Sequence, residues 1–341
     1  MTNQLKIQDA YTAALLCGLV SDTAVVLDER QDGYLMTALN LLKREPAQNK
    51  LQTLKSITGQ VWKAGINAYY QPVRLQLEDA ESVFPASDVQ KQVPITALEE
   101  LHEEIFDIQQ RSPSNSSAFR YTLYHTLYAW GGRVAFGDSD VSIFDQNRLL
   151  AATVKCLELS NGKPEFLLLK GALSGIQPFI YFEVGSEQVG DAKKTSKRLR
   201  GRSYLVSQLC QTVSSWLSDE LSLEHANILF VGGGHFNMLL PNTEEIKSQL
   251  ATIKDRLNIQ LFKEMGMQLS LAMDWEEVGE DVFTDAGKAF KNISDKLDAQ
   301  KQKRYLNQLQ EFFEKKQSTG TFIRQKNGDE DKHERIGRLI P

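Results

Sequence analysis

The chain has 341 residues and is 41% hydrophobic, which excludes a disordered polymer and is enough for packed cores in more than one domain. A formal net charge of -5 excludes a general basic field that would capture nucleic acid anywhere on the surface, so any such contact must come from a local patch. The 3 cysteines, Cys17, Cys156 and Cys210, are widely spaced and odd in number, which argues against a zinc ribbon or a disulfide framework and for a reducing cytoplasm.

Apolar residues recur at helical spacing from Ile7 to about Leu42, with Tyr11, Ala14 and Leu15, then Leu35, Ala38, Leu39 and Leu42, and predict two helices. A third is predicted over Thr53–Tyr70. A fourth, over Ile95–Gln110, has Leu98, Leu101, Ile105 and Ile108 on one face and Glu99, Glu100, Glu103 and Glu104 on its wet face. Turn formers between Arg111 and Ser117 predict an exposed loop, followed by helices over Phe119–Trp130 and Asp145–Glu158. Residues 1–160 are therefore expected to form an all-helical domain. No stretch reaches the ~18 apolar residues of a membrane span, and Met1–Asp9 is polar, so a soluble cytoplasmic protein with no membrane partner is expected.

The pattern changes after Lys163. Phe166–Leu169 is a short apolar run ended by Gly171, the form of a buried strand. Phe179–Phe182 reads as a short helix or strand leading into a loop over Gly185–Thr195. Arg202–Leu221 is an amphipathic helix with Leu205, Leu209, Val213, Trp216 and Leu217 as its stripe. Ala226–Val231 is a second buried strand, Gly232–Gly234 a tight turn, and His235–Leu240 the returning strand. A helix over Glu244–Leu257 and a strand over Met267–Trp275 complete a β-α-β-β-α-β order. The fold class is thus α+β: a helical domain, a ferredoxin-like domain of the palm type over 161–280, and a charged helix from Thr284 to Lys316 with a mobile tail within 281–341.

A catalytic palm needs carboxylates at the end of its first strand and in the turn between its second and third strands, where they hold two metal ions that activate a hydroxyl and steady a triphosphate. Here the first strand runs out through Lys170, Gly171, Ala172, Leu173 and Ser174, and the turn is Gly232, Gly233, Gly234 and His235. Neither place has an acid. Glycine does let backbone N–H groups approach a phosphate or another backbone, so Gly232, Gly233, Gly234, His235 and Ser174 are the candidate contacts for a nucleotide or a partner palm. A plain hairpin with positive φ is the alternative reading. The cluster Lys193, Lys194, Lys197, Arg198, Arg200 and Arg202 could grip phosphate, with Arg198, Arg200 and Arg202 as the candidates for phosphate or RNA contact; the alternatives are a solvated loop face that also fixes neighbouring carboxylates and, for Arg200 and Arg202, structural anchoring.

Four ordered blocks, Gly171–Tyr181 (GALSGIQPFIY), Leu199–Tyr204 (LRGRSY), Ala226–Phe236 (ANILFVGGGHF) and Leu239–Thr243 (LLPNT), resemble the first palm of the large palm-containing subunit of type III CRISPR effector complexes of the Csm/Cmr type. Ser139–Asp145 (SDVSIFD) resembles the family's link between N-terminal domain and palm, and His333–Pro341 (HERIGRLIP) the stretch after it. The resemblance implies partners: other type III subunits, guide RNA and target RNA, and a second palm, here separately encoded if the gene is split. It further implies ATP and Mg2+ shared with that palm. Family members usually begin with a metal-binding HD nuclease domain, but no histidine precedes His102 and no His-Asp dipeptide occurs. Residues 1–160 are then a degenerate HD-like domain. The expected role is a non-catalytic scaffold near the guide-RNA 5′ end. The alternatives are an active palm making cyclic oligoadenylate through ligands such as Asp145 or Asp274, and a regulatory nucleotide-binding palm outside CRISPR.

Overall fold

The computed structural model describes residues 4–19, 23–44, 51–57, 67–113, 116–137, 139–181, 192–266 and 268–303. The first half contains β1 (Leu5–Ile7), α1 (Ala10–Leu16), β2 (Thr23–Val25), α2 (Glu29–Leu41), β3 (Leu51–Thr53), α3 (Ala80–Val83), α4 (Ile95–Arg111), α5 (Ser117–Gly131), β4 (Val134–Phe136) and α6 (Ile143–Leu159). Helix starts are set by side-chain caps that satisfy otherwise unpaired N–H groups: Asp9 accepts from Thr12, Asp28 from Gln31, Ser116 from Phe119 and Ser142 from Asp145.

The second half contains β5 (Phe166–Ser174), α7 (Ile176–Tyr181), α8 (Ala192–Glu220), β6 (Ile228–Gly232), β7 (His235–Pro241), α9 (Glu244–Met265), β8 (Ser270–Val278) and α10 (Gly287–Gln302). The four strands form one antiparallel sheet in the order β6-β7-β5-β8. Together with α8 and α9 this is the connectivity of a split β-α-β unit. Alternation along the strands divides the side chains between two faces. Leu167, Leu169 and Leu173 of β5, Phe236, Met238 and Leu240 of β7, and Leu271 and Met273 of β8 form one core with Val206, Cys210, Val213 and Leu217 of α8 and Ile246, Leu250 and Ile253 of α9. On the opposite face, Leu168, Ala172 and Ala272 pack against Ile293 and Leu297 of α10. Phe166 and Leu239 join the large core of the first half, which includes Leu150, Ala151 and Val154 of α6. That core therefore continues from the helices onto the sheet.

Several expectations change. The first half is not all-helical: β1 pairs with β2 in parallel and β3 with β4 antiparallel. Leu5 and Ile7 are buried with Lys6 exposed between them, a two-residue period too short to stand out in the sequence. The helix expected over Thr53–Tyr70 meets a strand at Thr53 and isolated bridges at Lys55 and Tyr69, and residues 58–66 lie outside those described. The first palm strand does not stop at Gly171 but runs to Ser174, because Phe236 lies directly across from Gly171 and fills the space a side chain would take. The buried stripe of α8 is Val206, Cys210, Val213 and Leu217, with Leu205 exposed. The strand expected over Met267–Trp275 begins at Ser270 and runs to Val278. The expected loop over Gly185–Thr195 lies partly outside the described residues, while Ala192–Thr195 opens α8. The tail expected over Gln317–Lys332 lies wholly outside them.

Candidate functional site

The residues that the sequence singles out meet at one end of the sheet. Gly232 pairs with His235, leaving Gly233 and Gly234 as a two-residue loop with φ of 59° and 84°, the positive values a type I′ hairpin requires at both central positions. The two glycines differ in surroundings. Gly233 is exposed, and a Cβ there would make only ordinary contact with the His235 ring, 3.6 Å away. Gly234 is buried, and a Cβ there would overlap Ile176. The Gly234 carbonyl accepts from the Leu173 N–H at 2.8 Å, so the turn is tied to the end of β5, beside the half-buried Ser174.

On the second face of the sheet the turn is flanked by a ring pair. Phe230 and His235 stand with centroids 5.0 Å apart and planes tilted by 32°, and Phe230 is 47% exposed. The sequence reading missed this residue because it lies in the apolar run Ile228–Val231, which looks uniformly buried. A bulge between Ile228 and Phe230 explains the exposure. Ile228 and Val231 pack in the α8/α9 core, while the extra residue in β6 turns both Leu229 and Phe230 toward the other face.

Among the described residues no carboxylate belongs to the turn or to the end of β5. Asp274 on β8 lies opposite Lys170, accepts from the side chain of Gln300 on α10, and takes the Trp275 N–H at 2.9 Å. Asp145 is in the first turn of α6, where it accepts from the Ser142 hydroxyl at 2.7 Å and pairs with Arg148 at 3.1 Å. Each acid is thus committed to its own neighbours. Among the described residues no three His, Cys, Asp or Glu side chains gather closely enough to hold a metal ion. Among the described residues the hairpin offers the exposed Gly233 backbone and the Phe230 ring, and no carboxylate that would hold Mg2+.

Of the arginines, Arg202 donates to the Phe179 carbonyl at 3.0 Å and lies over the Phe179 ring at 5.6 Å, fastening α8 to α7. Arg200 is exposed and donates to the Ser196 carbonyl at 3.4 Å, and Arg198 is exposed. Lys197 is exposed as well; the side chains of Lys193 and Lys194 lie outside those described.

At the opposite end, Tyr121, Tyr124 and His125 of α5 surround His225, with His125–His225 centroids 5.3 Å apart. Burial, followed by the nearby His125 and Arg148, pushes the His225 pKa down to about 4. Asn227 donates to the carbonyls of Ala152 at 3.2 Å and Leu239 at 2.9 Å, joining α6 to β7.

A family model described as Csm1 subunit domain B matches residues 165–318. The single-strand-specific deoxyribonuclease Cas10/Csm1 (subtype III-A) of the CRISPR system of Enterococcus italicus is 30% identical over 238 aligned residues, which take in 60% of this chain and 31% of that protein. Its counterpart in Thermococcus onnurineus is 30% identical over 186, covering 48% of this chain and 23% of that protein. The crystal structure of a Csm1-Csm4 cassette in complex with pppApApA superposes with a TM-score of 0.62 at 25% identity, over 80% of this chain and 37% of that one. This chain therefore spans roughly a third or less of the length of these relatives. Residues 165–318 match the Csm1 subunit domain B, and with the part before them the chain resembles the large palm-containing Cas10/Csm1 subunit of type III CRISPR complexes.

Proposed function

We propose that this chain is a platform without catalysis of its own in a type III CRISPR RNA-guided antiviral complex. It sits near the guide-RNA 5′ end, docks a second palm at the Gly232–His235 hairpin, and helps that palm hold ATP. The carrying observation is the hairpin itself: where a catalytic palm needs acids, this one has glycine backbone, exposed at Gly233 and rimmed by Phe230 and His235. Backbone donors can approach a triphosphate whose Mg2+ is held by the partner's acids. Support for the setting comes from similar solved structures, Csm1-Csm4 cassettes in complex with AMPPNP, one ATP and pppApA. The reading divides the chain into a degenerate HD-like domain over 1–160, the palm over 161–280 and the charged helix and tail over 281–341. The other subunits, guide RNA and target RNA are its partners. Arg198 and Arg200 are its phosphate contacts, and Arg202 is the strut that positions them.

An active palm built on Asp145 or Asp274 is the weaker reading, since both carboxylates are engaged by their own neighbours. The test is Gly233→Val in a complex reconstituted with a catalytic second palm. Assembly or oligoadenylate output should fall while the thermal midpoint of the isolated chain changes little. Unchanged assembly and output would reduce the turn to a hairpin. Metal-dependent oligoadenylate synthesis by this chain alone, abolished by Asp274→Asn, would favour the active palm.

A further inference from the structure

The first half of α8 carries a surface that the hairpin does not use. From residue 192 to 218 the helix contains Lys193, Lys194, Lys197, Arg198, Arg200 and Arg202 and no Asp or Glu, in a chain whose net charge is -5. Residues 166–181 of β5 and α7, and residues 225–243 spanning β6 and β7, also contain neither Asp nor Glu, whereas α9, which shares a core with α8, carries Glu244, Glu245, Asp255 and Glu264. Residues 182–191, outside those described, hold Glu183, Glu187 and Asp191. Positive charge gathered on one helix is costly unless a polyanion, neighbouring acids or solvent offset it.

The exposed face has a further pattern. Lys197, Arg200, Tyr204 and Gln208 follow one another at spacings of three, four and four residues, so they line one side of the helix. All four are exposed, and Tyr204 is 67% exposed. Tyr204 lies on the side opposite Val206, Cys210 and Val213, which face the core. Its ring is therefore available for stacking. Arg198 and the exposed Leu205 form one flank, and the exposed Ser203 and Ser207 the other.

We infer that this face of α8 is a binding track for single-stranded RNA, with Lys197, Arg198 and Arg200 on the phosphates and Tyr204 stacked on a base. Charge complementarity selects a polyanion. An exposed aromatic ring one turn beyond the cations selects one with unpaired bases, because a duplex or an acidic protein surface offers no free base face. Hydroxyl and amide groups of Ser203, Ser207 and Gln208 beside the ring supply partners for a ribose 2′-hydroxyl, which favours RNA over DNA. Arg202 takes no part, because its guanidinium is held at Phe179. The inference deepens the phosphate-contact part of the reading above, but it needs neither a partner palm nor ATP, so its failure leaves the docking reading standing.

The test is fluorescence anisotropy of the full chain with a labelled oligouridylate of about 12 nucleotides, within the usual site sizes for single strands, over a range of salt. Binding should weaken as salt rises. Arg198→Glu combined with Arg200→Glu should lower affinity by about tenfold or more and flatten the salt dependence. Tyr204→Ala should lower affinity by about fivefold or more, while Tyr204→Phe keeps the ring and binds as the wild type does. Thermal midpoints of all variants should stay at the wild-type value, since these side chains are exposed. No binding by the wild type at low salt would overturn the inference. So would Tyr204→Ala binding as tightly as the wild type, or polyglutamate competing as well as unlabelled RNA, which would assign the face to an acidic protein. An oligothymidylate bound as tightly as the RNA would overturn the commitment to RNA.

Discussion

The two faces of the sheet are built for different ends. The face under α8 and α9 is closed along its whole length: Leu167, Leu169, Phe236, Met238 and Leu240 are all buried in one core. The second face is covered in pieces. Residues of α6 lie against Leu239 and those of α10 against Leu168, Ala172 and Ala272, while Phe230 at the hairpin end stays half open. The closed face determines whether the domain folds, and the open corner of the other face is where a partner can reach the backbone. Carboxylates at the metal site of a palm are not part of the core that holds such a sheet together, so the architecture does not depend on them.

The sharpest way to break this comparison is to remove the central ring of the closed face. Phe236 is fully buried and lies over Gly171, so Phe236→Ala should cost about 3–5 kcal/mol, from lost burial and the cavity left between β5 and α8. Chemical denaturation read by far-ultraviolet circular dichroism checks it. A cost below about 1 kcal/mol would mean that the sheet does not depend on this face.

The same pairing explains what the sequence could and could not reveal. The β-α-β-β-α-β order was legible because Phe166–Leu169 and Ala226–Val231 are apolar runs with glycine nearby, and the intervening helices are long enough for their stripes to show. Gly171 was misleading because a mid-strand glycine looks like a strand end until the ring across from it is known. The exposure of Phe230 was invisible, since a bulge leaves no mark in an unbroken apolar run. The three-residue strands β1 to β4 carry too few residues for any period to appear. The charge of α8 was plain from the sequence, but which arginine is fastened to Phe179 was not.

A second, smaller effect compares the two glycines of the turn. An Ala at either pays the left-handed φ penalty, about 1–2 kcal/mol. At Gly234 the new methyl also overlaps Ile176, and such overpacking adds about 1–3 kcal/mol. Gly234→Ala should therefore be the more destabilising in a thermal melt, and equal melts would mean that α7 yields easily at Ile176.

The end of the second face covered by α5 and α6 should show a pH signature. His225 is held neutral, its pKa pushed down to about 4 from an ordinary value near 6.5. The groups that act on it are Tyr121, Tyr124 and His125 of α5, Arg148 of α6 and Asp219 of α8. A depressed histidine takes up its proton first in the unfolded chain. Its stabilising contribution is complete above about pH 6.5 and is lost as pH falls toward 4. Glu224 opposes this, since burial raises its carboxyl despite the Arg120 ion pair at 2.7 Å, and a raised acid favours the fold at low pH. Replacing His225 by Phe should flatten the decline in unfolding free energy between pH 6.5 and 4. An unchanged slope would assign the decline to other groups.

The smallest expected effect on stability falls at Phe230, and for that reason it separates the faces most cleanly. Its ring is 47% exposed and rests on His235 rather than in a core, so Phe230→Ala should cost under about 1 kcal/mol, against several for Phe236 six residues on. A docked palm or a bound adenine would cover this ring and give it, in the complex, burial it lacks in the isolated chain. The same substitution should therefore weaken assembly with a second palm, or its oligoadenylate output, by about tenfold, with the thermal midpoint of the isolated chain almost unmoved. A loss of stability comparable to Phe236→Ala would mean that the open corner is part of the core. Unchanged assembly and output would mean that the bulge exposes Phe230 for no partner at this hairpin.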